Sequence, residues 1–224
     1  MKRIGIYIVI VVCILSCISS RRNLLTETRL MLVDTRATEH TAALFYNLRQ
    51  LTGKRVVYGQ HNYEMDGFDS DSTRWRDEAN RCDAYDVTGA YPALASFDFL
   101  HFTNPRSWET KELNYIQEKF HVAYNRGNVI TFCWHYYNPV TGGNFYDTTQ
   151  VVRHILPGGS YHATFKADLK IIADFAHSAK GDDGELIPII FRPWHEFDGN
   201  WFWWGKNHCS VEEFKKLYRF TVTY

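Results

Sequence analysis

Short apolar runs alternate along the chain with longer stretches in which apolar residues return every three or four positions. The apolar runs occupy residues 55–60, 91–99, 128–135 and 186–191. Runs of this length, with turn residues near their ends, predict β-strands, and a strand buried on both faces reads as continuously apolar. We therefore predict four strands, each followed by a region that can cover it.

Helical spacing fills most of the intervals between these runs. Ile116 and Phe120 fall on one face of a helix predicted over 111–124. Ser210 and Glu213 have the form of a capping box, which predicts the start of another helix. Further helices are predicted over 41–52, over 165–176 and, with a weaker pattern, over 69–81.

The order of these elements is a leading helix followed by four strand–helix units. Such alternation predicts an α/β protein with a parallel sheet and right-handed crossovers. Every strand ends in polar or aromatic residues, and the four ends would share one edge, where (β/α)8 TIM barrels keep their active sites. No Gly-x-Gly-x-x-Gly motif or phosphate loop favours a doubly wound sheet instead. The residues at the strand ends are Gln60, His61, Asp98, Trp134, His135, His195 and Glu196.

Only about the first four units of such a barrel are expected in this sequence. The last predicted helix reaches Tyr224 without a cap or a glycine. We therefore expect residues 39–224 to form the N-terminal half of a (β/α)8 barrel, as a truncated domain.

The first residues have the pattern of an export signal. Lys2 and Arg3 precede an apolar stretch over 4–15, which is too short to span a bilayer comfortably. Leu15-Ser16-Cys17 then resembles a bacterial lipobox, which predicts a signal peptide over 1–17, a lipid on Cys17 and a tether over 18–38. An ordinary signal peptide or a short membrane anchor is the alternative. The expectation is an exported, membrane-anchored bacterial lipoprotein facing the periplasm or the cell surface.

Composition narrows the class of partner. The chain has 224 residues, with 25 basic and 25 acidic side chains and a formal net charge of zero. Nothing in that balance favours a nucleic acid or an acidic membrane surface as partner. Aromatic residues make up 16% of the chain, which fits contact with carbohydrate and equally a bulky core.

The cysteines do not predict a metal centre. Beyond the leader the chain has Cys82, Cys133 and Cys209, an odd number without Cys-x-x-Cys spacing. The odd number and the missing Cys-x-x-Cys pair argue against a disulfide framework and against a zinc site. The histidines are also scattered, without the paired spacing of metal ligands. Because Cys133 sits within an apolar run, we expect it to be a buried thiol rather than a nucleophile.

The fourth apolar run leads directly into the densest group of candidate functional residues. Arg192, His195, Glu196 and Asp198 follow it, and buried charges are costly unless they are used or paired. Tryptophan faces beside a carboxylate suit a sugar, whose C–H face stacks on an indole. A core strand that runs into an amphipathic loop is the alternative. The tryptophans of this segment are Trp194, Trp201, Trp203 and Trp204.

The same segment resembles glycoside hydrolase family 26, chiefly its β-mannanases. The resemblance covers about residues 41–224, and the motif after the fourth strand is quite specific. Its supporting pieces are Tyr58-Gly59-Gln60-His61, Trp134-His135 and Asn138-Pro139. The motif itself reads Arg192-Pro193-x-His195-Glu196-x-x-Gly199-x-Trp201-Phe202-Trp203-Trp204-Gly205.

This resemblance implies that Glu196 is the acid/base catalyst of a retaining glycosidase. It implies that His195, Arg192 and Trp201 shape the subsite of the reacting sugar, and that His135 lies close by. The family's nucleophile is a second glutamate near the seventh strand, after residue 224. The implied function is hydrolysis of β-1,4-mannosidic linkages in mannan or galactomannan, without a cofactor. The 224 residues alone are then expected to be inactive.

The environment of Glu196 is predicted to suit an acid. Trp194, Phe197 and Trp201 are its neighbours in sequence, and an apolar surround favours the protonated form of a carboxyl group. Protonation is what a general acid requires before it meets the leaving oxygen.

Several roles stay open from the residues alone. Trp134 and Trp201 are candidate sugar platforms or core residues, and Arg192 either orients a carboxylate or forms a structural ion pair. A retaining enzyme needs two carboxyl groups about 5–5.5 Å apart. Asp98 and Asp198 could supply the second one, but they are less favoured than the glutamate that the resemblance implies. Alternative functions are a β-1,3-xylanase or mixed-linkage glucanase of the same family, or a non-catalytic carbohydrate-binding lipoprotein.

Overall fold

The computed structural model describes residues 20, 24, 26–28, 31–34, 36–76, 78, 80–104 and 110–224. The predicted signal peptide and Cys17 lie outside the described residues. No helix within those ranges is long and apolar enough to cross a membrane. The chain divides into two compact units, Met1–Val56 and Val57–Tyr224.

The first unit contains helix α1, Glu39–Leu51. Thr38 begins this helix, because its hydroxyl accepts a hydrogen bond from the N–H of Thr41 at 3.2 Å. The helix ends at Thr52, just before Gly53, whose φ of +73° suits a residue without a Cβ. The predicted leading helix is therefore confirmed, with a slightly earlier start.

From its fourth strand onwards the second unit alternates strands and helices as predicted, whereas its first three strands follow one another directly. Its elements are, in order, β1 (Gly59–His61), β2 (Asp66–Phe68), β3 (Arg74–Arg76), α2 (Asp83–Thr88), β4 (Leu94–Asp98), α3 (Leu100–Thr103), α4 (Thr110–Asn125), β5 (Val129–Cys133), α5 (Val152–Ile155), α6 (His162–Ser178), β6 (Ile189–Arg192) and α7 (Val211–Thr223).

Four strands form a parallel sheet in the order β1-β4-β5-β6. Asp98 at the end of β4 is in register with Cys133 at the end of β5, and Cys133 with Arg192 at the end of β6. The α/β class and the parallel sheet predicted from the apolar runs are therefore confirmed. This register places the polar strand ends side by side.

The helix predicted over 69–81 is wrong. Residues 66–76 form an antiparallel hairpin, β2–β3, in which the buried Trp75 pairs with Gly67. The turn is held by the N–H of Asp69 on the Thr73 carbonyl at 2.8 Å and by the N–H of Thr73 on Asp71 Oδ1 at 2.9 Å. Short polar side chains that bond the nearby backbone compete with a helix in this way.

The helices that cover the sheet follow the predicted periodicity. Helix α4 buries Ile116 and Phe120, and α7 begins with the capping box predicted at Ser210 and Glu213. Aromatic rings fill the space between sheet and helices, with Phe99 stacked on Phe132 at 4.3 Å between ring centroids.

Tryptophans extend this core towards the carboxyl edge of the sheet. Trp134 is 0% exposed, its ring lies 4.2 Å from that of Tyr136, and its N–H donates to Thr103 Oγ1 at 2.8 Å. A ring without exposed surface cannot stack on a sugar, so the proposed substrate contact of Trp134 is wrong. The side chain belongs to the core, where its ring also lies 5.4 Å from that of Trp194 and 6.2 Å from that of Phe165. Within the described part of the chain, the other fully buried tryptophans are Trp194, Trp203 and Trp204.

Candidate active site

The carboxyl edge of the sheet collects most of the side chains that the sequence singled out. Because the strands are parallel, their carboxyl ends meet at one edge. The residues brought together there are His61, Asp98, Cys133, His135, Arg192, His195, Glu196 and Trp201.

Glu196 lies in a sharp turn directly after β6. Its φ is +54° and that of Trp194 is +56°, a left-handed backbone that costs a residue with a Cβ about 1–2 kcal/mol. The N–H of Gly199 donates to the Glu196 carbonyl at 3.0 Å and closes the turn. Such conformations persist only where the surroundings fix them, and they concentrate at functional sites.

The carboxyl group of Glu196 is exposed and has one aromatic partner. Trp201 donates its indole N–H to Glu196 Oε2 at 2.9 Å. The predicted apolar surround is not formed, because Trp194 is buried and bonds Thr221, while Phe197 is 55% exposed and stacks on Phe214. The turn sends the neighbours of Glu196 to different sides, which residue spacing alone does not reveal.

Trp201 is 46% exposed, so its ring is available to a ligand. Gly199 lies against this ring, and a Cβ built on Gly199 would overlap the Trp201 side chain. The glycine of the sequence motif therefore makes room for the indole that contacts Glu196. Trp201 has the exposed ring that a sugar platform requires, in contrast to Trp134, and its role as a platform stays a prediction.

His135 and His195 contact each other across the ends of β5 and β6. Their Nε2 atoms lie 3.1 Å apart, and their rings are nearly perpendicular at 82°. Burial lowers the pKa of His195 to about 4, with the neighbouring His135 acting in the same direction. His195 is therefore a neutral imidazole near pH 7, able to accept or donate a hydrogen bond without a charge.

Asp98 is the anchor of His135. Its Oδ2 accepts from His135 Nδ1 at 2.5 Å, and its Oδ1 accepts the N–H groups of Leu100 at 2.9 Å and His135 at 3.1 Å. Burial opposes ionisation of this carboxyl group, but the hydrogen bonds from His135 and the backbone outweigh it and lower the pKa to about 2. Both oxygens are occupied, which disfavours Asp98 as the attacking carboxylate.

Arg192 is exposed at the end of β6. Its Nε donates to Thr131 Oγ1 at 3.2 Å. Among the described residues no ion pair joins Arg192 to a carboxylate, so that part of the chain gives no support to the structural ion pair considered from the sequence. The terminal nitrogens of the guanidinium group are thus available to a substrate oxygen or a carboxylate.

The structure also brings together donors that the sequence presented as scattered. Cys133, His135 and His195 have ligand atoms within 4.8 Å of one another, and so do His61, Asp98 and Cys133. Burial raises the pKa of the Cys133 thiol strongly, which keeps it protonated, and Asp98 and His135 already satisfy each other. The donor chemistry therefore favours a hydrogen-bonded cluster, and the expected absence of a metal stays a prediction.

The sequence did not predict the contacts that Asp98 and Trp204 make in the site. Asp98 was considered only as a second carboxylate, and Trp204 only as one of several tryptophans, although its N–H donates to the His195 carbonyl at 2.9 Å. The position of Asp98 at a strand end was the available signal for its place in the site. The buried contact of Trp204 had no signal, because it depends on how the turn after β6 folds.

An exposed carboxyl group beside an exposed indole, at the carboxyl edge of a parallel α/β sheet, fits one of the two carboxyl groups of a glycoside hydrolase site. Residues 33–224 match the sequence model of glycosyl hydrolase family 26, and the chain belongs to that family.

Individual relatives point to the same group. The chain is 39% identical over 197 residues to a mannan endo-1,4-beta-mannosidase of Bifidobacterium adolescentis, a match that covers 85% of this chain and 19% of that protein. Among solved structures, GH26C from a Muricauda species has a TM-score of 0.81 at 38% identity and covers 89% of this chain and 55% of its own. A GH26 beta-mannanase from Bacteroides ovatus has a TM-score of 0.75 at 37% identity, covering 83% and 54%. The chain thus spans about half the length of these solved structures.

Proposed function

We propose that this chain belongs to a retaining glycoside hydrolase that cleaves β-1,4-mannosidic linkages in mannan or galactomannan. Glu196 is its acid/base catalyst. The observation that carries this assignment is the exposed Glu196 carboxyl group, held by Trp201 Nε1 at 2.9 Å at the carboxyl edge of the sheet. The relatives matched are mannanases by name, which favours mannan over β-1,3-xylan and mixed-linkage glucan.

In this mechanism Glu196 donates a proton in the first step and accepts one in the second. In the first step its carboxyl group protonates the glycosidic oxygen while a second carboxylate bonds to the anomeric carbon and the C–O bond breaks. In the second step the Glu196 carboxylate takes a proton from water, whose oxygen bonds to the anomeric carbon and releases the second carboxylate. The family resemblance implies that this second group is a glutamate near the seventh strand of the barrel.

The other side chains at this edge would hold the reacting sugar. The exposed face of Trp201 would stack on the C–H face of a mannose, and the Arg192 guanidinium would donate to its hydroxyl groups. His195, neutral because burial lowers its pKa to about 4, can bond a hydroxyl group without bringing a charge into the site. His135 would support it from the neighbouring strand.

The fold expected around this site is a (β/α)8 barrel, of which residues 39–224 would form the N-terminal half. The parallel order β1-β4-β5-β6 follows the chain order of the sheet strands, as consecutive barrel strands do. The chain also covers 55% and 54% of the two solved relatives described above.

The test is Glu196→Gln in the full-length gene product, assayed by reducing-end release from mannan. The loss of the proton donor should lower kcat by about 10²–10⁴-fold. Glu212→Gln is the matched control, because Glu212 is an exposed glutamate whose ion pair among the described residues is with Lys215. Near-normal mannan turnover by Glu196→Gln would end the assignment.

The export signal gives a separate proposal, a lipid on Cys17 that anchors the protein to a bacterial membrane. Its support is the lipobox-like Leu15-Ser16-Cys17 after an apolar stretch. Metabolic labelling with a fatty acid checks it. The wild type should carry label, and equal label on Cys17→Ala would remove the proposal.

A further inference from the structure

The two oxygens of Asp98 make different contacts. Oδ1 accepts two backbone N–H groups, from Leu100 at 2.9 Å and His135 at 3.1 Å, while Oδ2 accepts from His135 Nδ1 at 2.5 Å. The Cys133 thiol also lies within 4.8 Å of the carboxylate. The side chain is 12% exposed. Two backbone donors thus fix the plane of the carboxyl group and aim its second oxygen at the imidazole.

The ionised carboxylate determines where the protons of the two imidazoles lie. Asp98, with its pKa near 2, accepts hydrogen bonds and donates none, so His135 must carry its proton on Nδ1. In the neutral ring, Nε2 of His135 is then an acceptor. Because it lies 3.1 Å from Nε2 of His195, the proton of His195 must be on that nitrogen. Nδ1 of His195 is left as a buried acceptor, without a partner in the part of the chain that is described.

His195 is also held through its main chain. Trp204 Nε1 donates to its carbonyl at 2.9 Å, and the next residue is Glu196 with its left-handed φ of +54°. A strained conformation of this kind needs neighbours that fix it. The ring of His195 and the turn of Glu196 are therefore set together.

We propose that Asp98 is a positioning residue for the reaction: it fixes the tautomer of His135 and, through His135, the tautomer and orientation of His195 beside Glu196. This inference rests on the proposed function, because it assigns Asp98 a part in the same hydrolytic site. The hydrogen bonds of Asp98 go to Leu100 and His135 rather than to Glu196, so it would act through the histidine pair.

The substitution Asp98→Asn is expected to reverse the tautomers of both histidines. The two backbone N–H groups need an acceptor, so the amide oxygen takes the place of Oδ1 and the amide NH2 faces His135 Nδ1. That nitrogen must then accept, which moves the proton of His135 to Nε2. The Nε2–H of His135 meets Nε2 of His195, which must accept in turn, and the proton of His195 moves to Nδ1. One isosteric change thus reverses both tautomers.

The first measurement is side-chain 15N NMR of the two histidines at a pH where both rings are neutral. The wild type should show His135 protonated on Nδ1 and His195 on Nε2, and Asp98→Asn should show the reverse pair. Asp168→Asn is the matched control, a carboxyl group partly buried under Tyr136 that should leave both tautomers as in the wild type. Wild-type His135 protonated on Nε2, unchanged tautomers in Asp98→Asn, or a reversal in Asp168→Asn would each overturn the inference. If Asp98→Asn does not fold, the wild-type tautomers decide.

The second measurement separates positioning from a merely structural role. In the full-length gene product, Asp98→Asn should lower kcat on mannan about 10- to 100-fold with KM within about twofold, because misplaced groups affect the transition state most. An unchanged kcat in Asp98→Asn, together with reversed tautomers, would show that Asp98 has no positioning role in catalysis. Failure of the proposed function looks different: Glu196→Gln would then keep its activity while the tautomers stay as assigned.

Discussion

The indole N–H of Trp201 lies 2.9 Å from Oε2 of Glu196, five residues earlier in the chain. This bond joins the two ends of the turn that follows β6, and it fixes the carboxyl group beside the exposed indole face. A substrate stacked on Trp201 would therefore meet the proton donor in a defined direction.

The N–H of Trp201 and its ring face are expected to contribute separately. Trp201→Phe keeps an aromatic face but deletes the donor to Glu196, so kcat on mannan should fall about 10-fold or more with a small change in KM. Trp201→Ala removes both and should also raise KM. Steady-state kinetics of the two variants checks this, and equal kcat in Trp201→Phe and wild type would show that the hydrogen bond has no role in catalysis.

Gly199 is expected to matter through Trp201. A Cβ at this position would overlap the indole ring, so Gly199→Ala should displace Trp201 and lower kcat. The control is a double-mutant cycle with Trp201→Ala, in which the added Cβ no longer meets a ring. A Gly199→Ala effect that is just as large without the indole would contradict this explanation.

The two tryptophans proposed from the sequence as sugar platforms should differ in stability. Trp134 is fully buried, so Trp134→Ala should lower the free energy of unfolding by about 3–5 kcal/mol. Trp201 is 46% exposed, so Trp201→Ala should cost clearly less. Urea unfolding of both variants measures the difference, and similar losses would place both rings in the core.

The pH dependence of stability should report the buried His195. Its pKa in the folded state is about 4, below the ordinary 6.5, so the unfolded chain binds this proton first as the pH falls. The contribution is complete above about pH 6.5 and is lost towards pH 4. The wild type should therefore lose more stability than His195→Gln across this window.

Unfolding free energies measured from pH 8 to pH 4 check this sign. The other groups that face His195 are His135, Asp98, Glu196 and Arg192, and all of them are present in both proteins. Their titration therefore largely cancels in the difference. Parallel curves for wild type and His195→Gln would contradict the lowered pKa.

Periodicity in the sequence predicted the elements that bury a regular face. The runs at 91–99 and 128–135 became β4 and β5, and the capping box at Ser210 became the start of α7. The hairpin over 66–76 was missed because its strands are three residues each and its turn is held by side-chain contacts with the backbone. Such local bonds do not appear as a hydrophobic period.

The sequence predicted which residues would gather at the candidate site but not their hydrogen-bond partners. Glu196 and Trp201 could be named because they share one segment, whereas the contact of Asp98 with His135 joins residues 37 positions apart. The sequence also could not predict which tryptophan is buried, because Trp134 and Trp201 have the same side chain and differ only in how they pack. The strand ends could be predicted to meet, but the hydrogen bonds among them depend on register and turn geometry.

The most direct test of Glu196 as acid/base catalyst uses Glu196→Ala in the full-length gene product with an aryl mannoside that has a good leaving group. Such a leaving group needs little protonation, so the glycosyl-enzyme should form rapidly. Its hydrolysis should be slow because the base is missing, and the phenol should therefore be released in a burst. Azide needs no base and should accelerate turnover and yield a mannosyl azide of retained configuration. No burst, no response to azide and undiminished hydrolysis of mannan would together contradict the assignment.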